Sequence, residues 1–346
     1  MSTQQLEDII QGFGRLYAGW NRETPIDAMR RQWDAFVSGG RPPAPGQDVR
    51  TQDVRAAEVP CRWLTAGAGG DDSVVLYLHG GGYQIGSLVS HHNIMARLAK
   101  AGGCRVLGVD YRLAPEHRFP AALDDAVAAY RWLLDGGLAP ENIAVCGDSA
   151  GGGMAVALLT LLRDRGLPLP AAAVAMSPWA DMAVRGDSYE RNAAADPVTR
   201  RATMELMART YLGRHGDAAD PLASPVHADL AGLPPLLIQV GEREVLLDDA
   251  VTLADAVRKA GGAVTLNVWP GMIHTFQLFT GRLDEADAAI DEAARFIRAR
   301  VDPTPCALRA PPGWGGTGGP AEPDPLSPGP GRAVLSDAGG APRHGH

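Results

Sequence analysis

Gly147-Asp148-Ser149-Ala150-Gly151 constrains this chain more than any other segment, because of what flanks it. Asn142-Ile143-Ala144-Val145-Cys146 precedes it, a short apolar run that reads as a buried strand. Two more glycines follow, then Met154-Ala155-Val156-Ala157-Leu158-Leu159, which reads as a buried helix. A serine on a tight strand-to-helix turn needs small neighbours, since the backbone is strained there and bulky side chains collide. Such a turn lifts the hydroxyl above the sheet, and the following helix aims its N-terminal N–H groups at charge that develops there. The competing reading is a glycine-rich turn whose serine only caps a helix. It is the weaker one, because the other parts of a catalytic apparatus are present and in order.

Upstream, the apolar run Val74-Val75-Leu76-Tyr77-Leu78 ends in His79-Gly80-Gly81-Gly82-Tyr83. Three glycines after a strand expose backbone N–H groups with no side chains to block approach. An anionic tetrahedral intermediate needs two or three such donors held rigidly, each worth about 3 kcal/mol. A phosphate-binding loop is the alternative for a glycine run. Neither a following Lys-Ser/Thr nor a G-x-G-x-x-G at a helix start is present to support it.

Taken together, His79-Gly80-Gly81-Gly82 and Gly147-Asp148-Ser149-Ala150-Gly151 resemble the hormone-sensitive-lipase family of α/β-hydrolases, the bacterial family IV esterases. Asp110-Tyr111-Arg112-Leu113-Ala114-Pro115-Glu116 and Asp220-Pro221-Leu222-Ala223-Ser224-Pro225 resemble it too, and the likeness covers most of residues 45 to 300. The resemblance implies that the N–H groups of Gly81, Gly82 and Ala150 form the oxyanion hole. It makes His79 a structural residue that fixes the glycine loop. Triad partners in α/β-hydrolases follow the order Ser, acid, His, so His79 comes too early to be the base.

Five histidines follow Ser149: His215, His227, His274, His344 and His346. The last two lie in a tail with no sign of a fold, His215 in a charged segment read as helical, and His227 ahead of the acid candidates. His274 remains. It sits in the loop Pro270-Gly271-Met272-Ile273-His274-Thr275-Phe276, just past the strand-like Val264-Thr265-Leu266-Asn267-Val268-Trp269, where a catalytic histidine is needed. The acid should follow the strand Leu236-Leu237-Ile238-Gln239-Val240. In the family it opens an Asp-x-Leu-x-Asp stretch, and Glu244-Val245-Leu246-Leu247-Asp248 aligns with that, which makes Glu244 the acid. A glutamate replaces the commoner aspartate here. Glu242 is the rival, and Asp248 and Asp249 read as residues that cap and charge the start of the next helix.

Composition agrees. The 346 residues are 45% hydrophobic, ample for a large core, and the formal charge of −8 with scattered basic residues excludes a nucleic-acid surface. Cys61, Cys104, Cys146 and Cys306 have neither metal nor disulfide spacing, so a reducing compartment is inferred. The segment Met1–Ile10 lacks a cationic start with an apolar core, and no uninterrupted apolar stretch is long enough to span a bilayer. The expected location is cytoplasmic.

Three parts are expected. Residues 1–40 read as amphipathic helices, with Leu6, Ile9, Ile10, Phe13, Leu16, Tyr17 and Trp20 at near-helical spacing; by resemblance they form part of a cap. Residues 45–300 alternate apolar strands with helices, the signature of an α/β fold with a mostly parallel sheet covered on both faces. Within them, 185–215 is charged and helical and reads as a second cap segment. Of the 44 residues from 303 to 346, 20 are Gly or Pro. Burial there does not offset an ordering cost of about 1–2 kcal/mol per residue, so this tail reads as disordered.

The implied chemistry is serine carboxylesterase action on short- to medium-chain acyl esters of small molecules. Ser149 attacks, His274 takes its proton and Glu244 orients the imidazole, with no metal or organic cofactor. Family members are often dimers, so a homodimer is carried as an expectation. An amidase or deacetylase would use the same triad. A non-catalytic small-molecule receptor on the same fold is expected to lack the catalytic histidine, which this chain retains.

Overall fold

A computed structural model describes residues 3–39, 49–67 and 73–301. The Pro/Gly-rich stretch 41–46, whose composition breaks the chain between the first two expected parts, and the Gly/Pro-rich segment 303–346 lie outside the described residues. Two helices come first, α1 (Thr3–Ala18) and α2 (Ile26–Val37), followed by the hairpin of β1 (Val49–Ala56) and β2 (Val59–Ala66). The alternating part runs β3 (Val74–Leu78), α3 (His92–Gly102), β4 (Arg105–Val109), α4 (Ala121–Asp135), β5 (Ile143–Asp148), α5 (Ala150–Asp164) and β6 (Ala172–Met176). The one-turn α6 (Ser188–Arg191) and α7 (Arg201–Leu212) interrupt it before β7 (Leu236–Gly241), α8 (Leu247–Lys259), β8 (Val264–Trp269) and α9 (Asp284–Arg298).

The eight strands form one sheet in the order β1-β2-β4-β3-β5-β6-β7-β8. β2 is antiparallel to both β1 and β4, and every pairing from β4 to β8 is parallel. All residues of β3, β5, β6 and β7 are buried. That is why those strands read as continuous apolar runs: a parallel sheet has both faces covered. One face packs on α4, α5 and α8, the other on α1, α2, α3 and α9. Each fully buried aliphatic or aromatic side chain adds about 1.5–3 kcal/mol to this packing.

β3 and β8 fall where the sequence places them. β5 starts at Ile143, because Pro140–Asn142 forms a 3-10 turn, and continues through Gly147 and Asp148 to the candidate serine. In the segment 185–215 only α6 and α7 are helical, and His215 lies in the turn beyond α7 rather than in a helix. The antiparallel hairpin β1–β2 departs from the simple strand–helix alternation. From Thr51 to Arg55 its outer strand alternates exposed and half-buried positions, as an edge facing water on one side does. Among the described residues no helix is long and apolar enough to cross a membrane.

Candidate active site

Ser149 stands between the last residue of β5 and the first of α5, at φ 50 and ψ −117. This left-handed conformation costs an ordinary residue about 1–3 kcal/mol. It is held from both sides: the Ser149 N–H donates to Met176 O over 2.8 Å, and its carbonyl accepts from the N–H groups of Gly153 at 3.0 Å and Trp179 at 2.9 Å. A side chain on Gly151 would run into the Leu78 carbonyl of the neighbouring strand, so only glycine allows the turn to pack this tightly.

The loop after β8 carries His274 to this turn, and the loop after β7 carries Glu244. His274 Nε2 lies 2.9 Å from Ser149 Oγ, and Nδ1 lies 2.7 Å from Glu244 Oε2. The carboxylate can only accept, so it fixes the proton on Nδ1 and leaves Nε2 to accept from the serine. Burial disfavours the charged imidazole, but the charge and hydrogen bond of Glu244, with the charges of Asp196 and Asp148, outweigh it and raise the pKa of His274. Burial also raises the pKa of Glu244, against the opposing pull of His274, Ser177 and the Gly241 N–H. The glutamate is fully buried. Its Oε1 accepts from Ser177 Oγ at 2.6 Å and from the Gly241 N–H at 2.6 Å.

The glycine loop after β3 lies against the serine turn. Gly81 adopts φ +115, and a side chain there would meet the Ile85 carbonyl. Among the described residues, the Gly81 and Gly82 N–H groups donate to no protein acceptor. The Ala150 N–H is one of the orphan donors at the start of α5. Asp148 anchors the loop from below. It accepts from Tyr77 Oη at 2.8 Å and the Gly80 N–H at 3.0 Å, and His91 Nε2 lies 3.3 Å away. Burial would raise its pKa, yet His91 and Tyr77 hold it below the usual carboxylate range. His79 is buried, stacked on Tyr111 with centroids 4.1 Å apart, and burial next to His91 lowers its pKa to about 3. It is a neutral packing residue under the loop.

A cavity of about 400 Å3 opens over Ser149, His274, Gly81 and Gly82. Tyr17, Ile26, Met29 and Trp33 from the N-terminal helices, with Trp20 between them, form one wall, and side chains from Pro197 through Arg200 and from α7, Met204 and Met207 among them, form the other. Tyr83 does not line it. This tyrosine is buried, donates to the Ala150 carbonyl at 3.0 Å and stacks on Tyr211 of α7, so it covers the glycine loop.

The rival residues fall elsewhere. Glu242 is exposed and accepts from the Gly271 N–H at 2.9 Å. His227 lies beside Asp181, 3.7 Å away. Asp248 and Asp249 stand in the first turn of α8, but neither side chain caps it. Asp248 instead accepts from the Ser188 N–H and Arg191, and Asp249 from the Ala180 and Asp181 N–H groups. Donors brought in by the fold from 60 to 69 positions away in sequence therefore hold both carboxylates in place of the helix start.

Three polar residues escape a sequence reading: His91, Ser177 and Asp196. Ser177 had a detectable signal, since a polar residue just past the carboxyl end of a buried parallel strand sits where α/β sheets place their sites. Cys61 and Cys146 are buried, and among the described residues no three His, Cys, Asp or Glu side chains are grouped to hold a metal ion.

The model of the alpha/beta hydrolase fold family matches residues 75–278. An acetyl-hydrolase of Streptomyces hygroscopicus is 47% identical over 271 residues, 78% of this chain and 88% of that protein. An esterase of Acinetobacter venetianus is 34% identical over 248 residues, 72% of this chain and 82% of that protein. The crystal structure of an esterase from the bacterial hormone-sensitive lipase family superposes with a TM-score of 0.83 at 45% identity, covering 87% of this chain and all of that one. The strand–serine–helix turn, the glycine loop and these likenesses agree: the chain belongs to the hormone-sensitive-lipase family of α/β-hydrolases.

Proposed function

We propose that this carboxylic ester hydrolase cleaves short- to medium-chain acyl esters through a Ser149–His274–Glu244 triad. One observation carries the reading: Ser149 Oγ, His274 and Glu244 are joined by two hydrogen bonds of 2.9 and 2.7 Å beside a cavity. Ser149 Oγ attacks the acyl carbonyl as its proton passes to His274 Nε2, and Glu244 stabilises the imidazolium. The Gly81, Gly82 and Ala150 N–H groups receive the oxyanion. The imidazolium then protonates the leaving alcohol, and a water activated by the same ring releases the acid. Residues 1–40 and 185–215 act as a cap that bounds the acyl and alcohol groups, since side chains between 17 and 33 and between 197 and 207 line the cavity. A cavity of this size suits a small ester, and a relative named acetyl-hydrolase supports a short acyl group.

The test is hydrolysis of p-nitrophenyl acetate, butyrate, octanoate and dodecanoate by wild type and Ser149→Ala, with the matching anilides alongside. Rapid Ser149-dependent turnover of the shorter esters with little anilide cleavage is expected. Esterase activity retained in Ser149→Ala would overturn the nucleophile, and preferential anilide cleavage would make the protein an amidase.

A further inference from the structure

We infer that Asp196, a buried carboxylate outside the triad, is a positioning residue that locks the second wall of the cavity to the turn bearing Glu244. The inference rests on the triad reading above. Asp196 is 2% exposed and has four donors. Its Oδ1 accepts from the N–H groups of Val198 at 2.8 Å and Thr199 at 3.1 Å. Its Oδ2 accepts from Thr199 Oγ1 at 2.7 Å and from the Val245 N–H at 2.9 Å. One oxygen therefore holds the wall, and the other reaches the residue after Glu244. Val198 and Thr199 both line the cavity.

The same segment grips the acid turn at further points. Asn192 donates to the Glu244 carbonyl at 2.7 Å and the Glu242 carbonyl at 3.1 Å, and Arg243 donates to the Ala195 carbonyl at 3.0 Å. Among these ties Asp196 alone adds a negative charge. Three carboxylates bear on His274: Glu244 from the turn after β7, Asp148 from the end of β5, and Asp196 from the wall segment. A fixed anion near a ring that becomes cationic in the transition state favours that state. The geometry thus gives Asp196 two effects on turnover: it sets where Glu244 and the substrate wall stand relative to each other, and it favours imidazolium formation.

Asp196→Asn disturbs both effects, and the pH profile reads the charge apart from the hydrogen bonds. The amide keeps an acceptor for Val198 and Thr199 but presents an NH2 group to the Val245 N–H and removes the charge. The expected result is a fall in kcat of about 3- to 30-fold, with the acid limb of the kcat/KM profile moved to lower pH by several tenths of a unit. Thr199→Val is the comparison. It removes one donor and no charge, so it alters KM through the wall and does not move the acid limb downward. If Asn does not fold at this site, Asp196→Ser removes the same charge in a smaller volume and reads the same limb. A folded, active charge-free variant with the wild-type acid limb and wild-type kcat overturns the inference. Failure of the esterase reading would look different: wild type itself would then show no Ser149-dependent turnover.

Discussion

Ser177 donates its hydroxyl to Glu244 Oε1 over 2.6 Å while accepting the Thr275 N–H at 3.2 Å, so one buried oxygen joins the acid to the residue after the base. Ser177 itself stands at φ +47, a conformation that favours glycine. Removal of the hydroxyl can therefore be separated from relief of backbone strain. Ser177→Ala and Ser177→Gly should lose kcat alike, by about tenfold, since each forfeits a hydrogen bond to a buried charge. The glycine variant should be the more stable of the two in urea. Because the Ser177 hydrogen bond lowers the pKa of Glu244, both variants should also move the acid limb of kcat/KM to higher pH. Unequal kcat values, with glycine close to wild type, would point to strain rather than the hydroxyl.

Glu244 sets the second prediction. Glu244→Ala removes the partner of His274 Nδ1 and leaves three donors aimed at a void. The loss in kcat should be about 10³- to 10⁴-fold, the scale on which a misoriented histidine is felt. Exposed Glu242→Ala should cost less than tenfold by the same comparison. Steady-state kinetics on p-nitrophenyl butyrate decides between them, and a greater loss at Glu242 would reverse the assignment.

Met207 presses its sulfur on the position where Gly82 would carry a side chain, and it lines the cavity beside the oxyanion loop. Met207→Ala should enlarge the space next to the reacting carbonyl. The ratio of kcat/KM for octanoate over acetate should rise by about 3- to 10-fold, the worth of one or two methylene contacts. An unchanged ratio would place the acyl chain against another wall.

Asp249 makes a pH prediction. Burial pushes its pKa up to about 7, against the hydrogen bonds from the Asp181 and Ala180 N–H groups. A folded-state value above the unfolded one means that the neutral acid stabilises the fold at low pH, and that this contribution is lost as pH rises through about 7. Asp249→Asn keeps an acceptor for both N–H groups and carries no charge. Its unfolding free energy in urea should gain on wild type from mildly acidic to mildly basic pH, by an amount on the order of 1 kcal/mol or more. Parallel pH profiles for the two proteins would refute the shift.

Much of this could be read from the chain, and the reasons differ by residue. β3 is legible because a short, wholly apolar run ending at a glycine loop has few other uses, β8 because Val264, Leu266 and Val268 alternate with polar residues ahead of Pro270, and the Ser149 turn because only small residues tolerate it. His274 follows from chain order. Asp196 and Ser177 are less accessible: each is an ordinary polar residue whose meaning comes from a neighbour 49 and 67 positions away. The helix-start reading of Asp248 and Asp249 holds only in part, for a related reason: both stand in the first turn of α8, but neither caps it. Local helix-start chemistry suits them, but tertiary donors from the segments at Ala180 and Ser188 claim both carboxylates.

The aromatic contact between the N-terminal helices and the loop beyond His274 has a consequence for recombining this enzyme with its relatives. Phe13 of α1 meets Phe279 edge-on at 5.5 Å, and Phe36 of α2 meets the same ring at 5.9 Å. Phe279 closes the short 3-10 turn that begins two residues after His274. Trp20, Met29 and Trp33 of the same arm shape the substrate wall. An arm transplanted from another family member would therefore carry two inheritances at once, a new pocket surface and a new seat for the histidine loop. Chimeras that exchange the arm alone would confound selectivity with catalytic competence unless Phe279 and its partners travelled as a set.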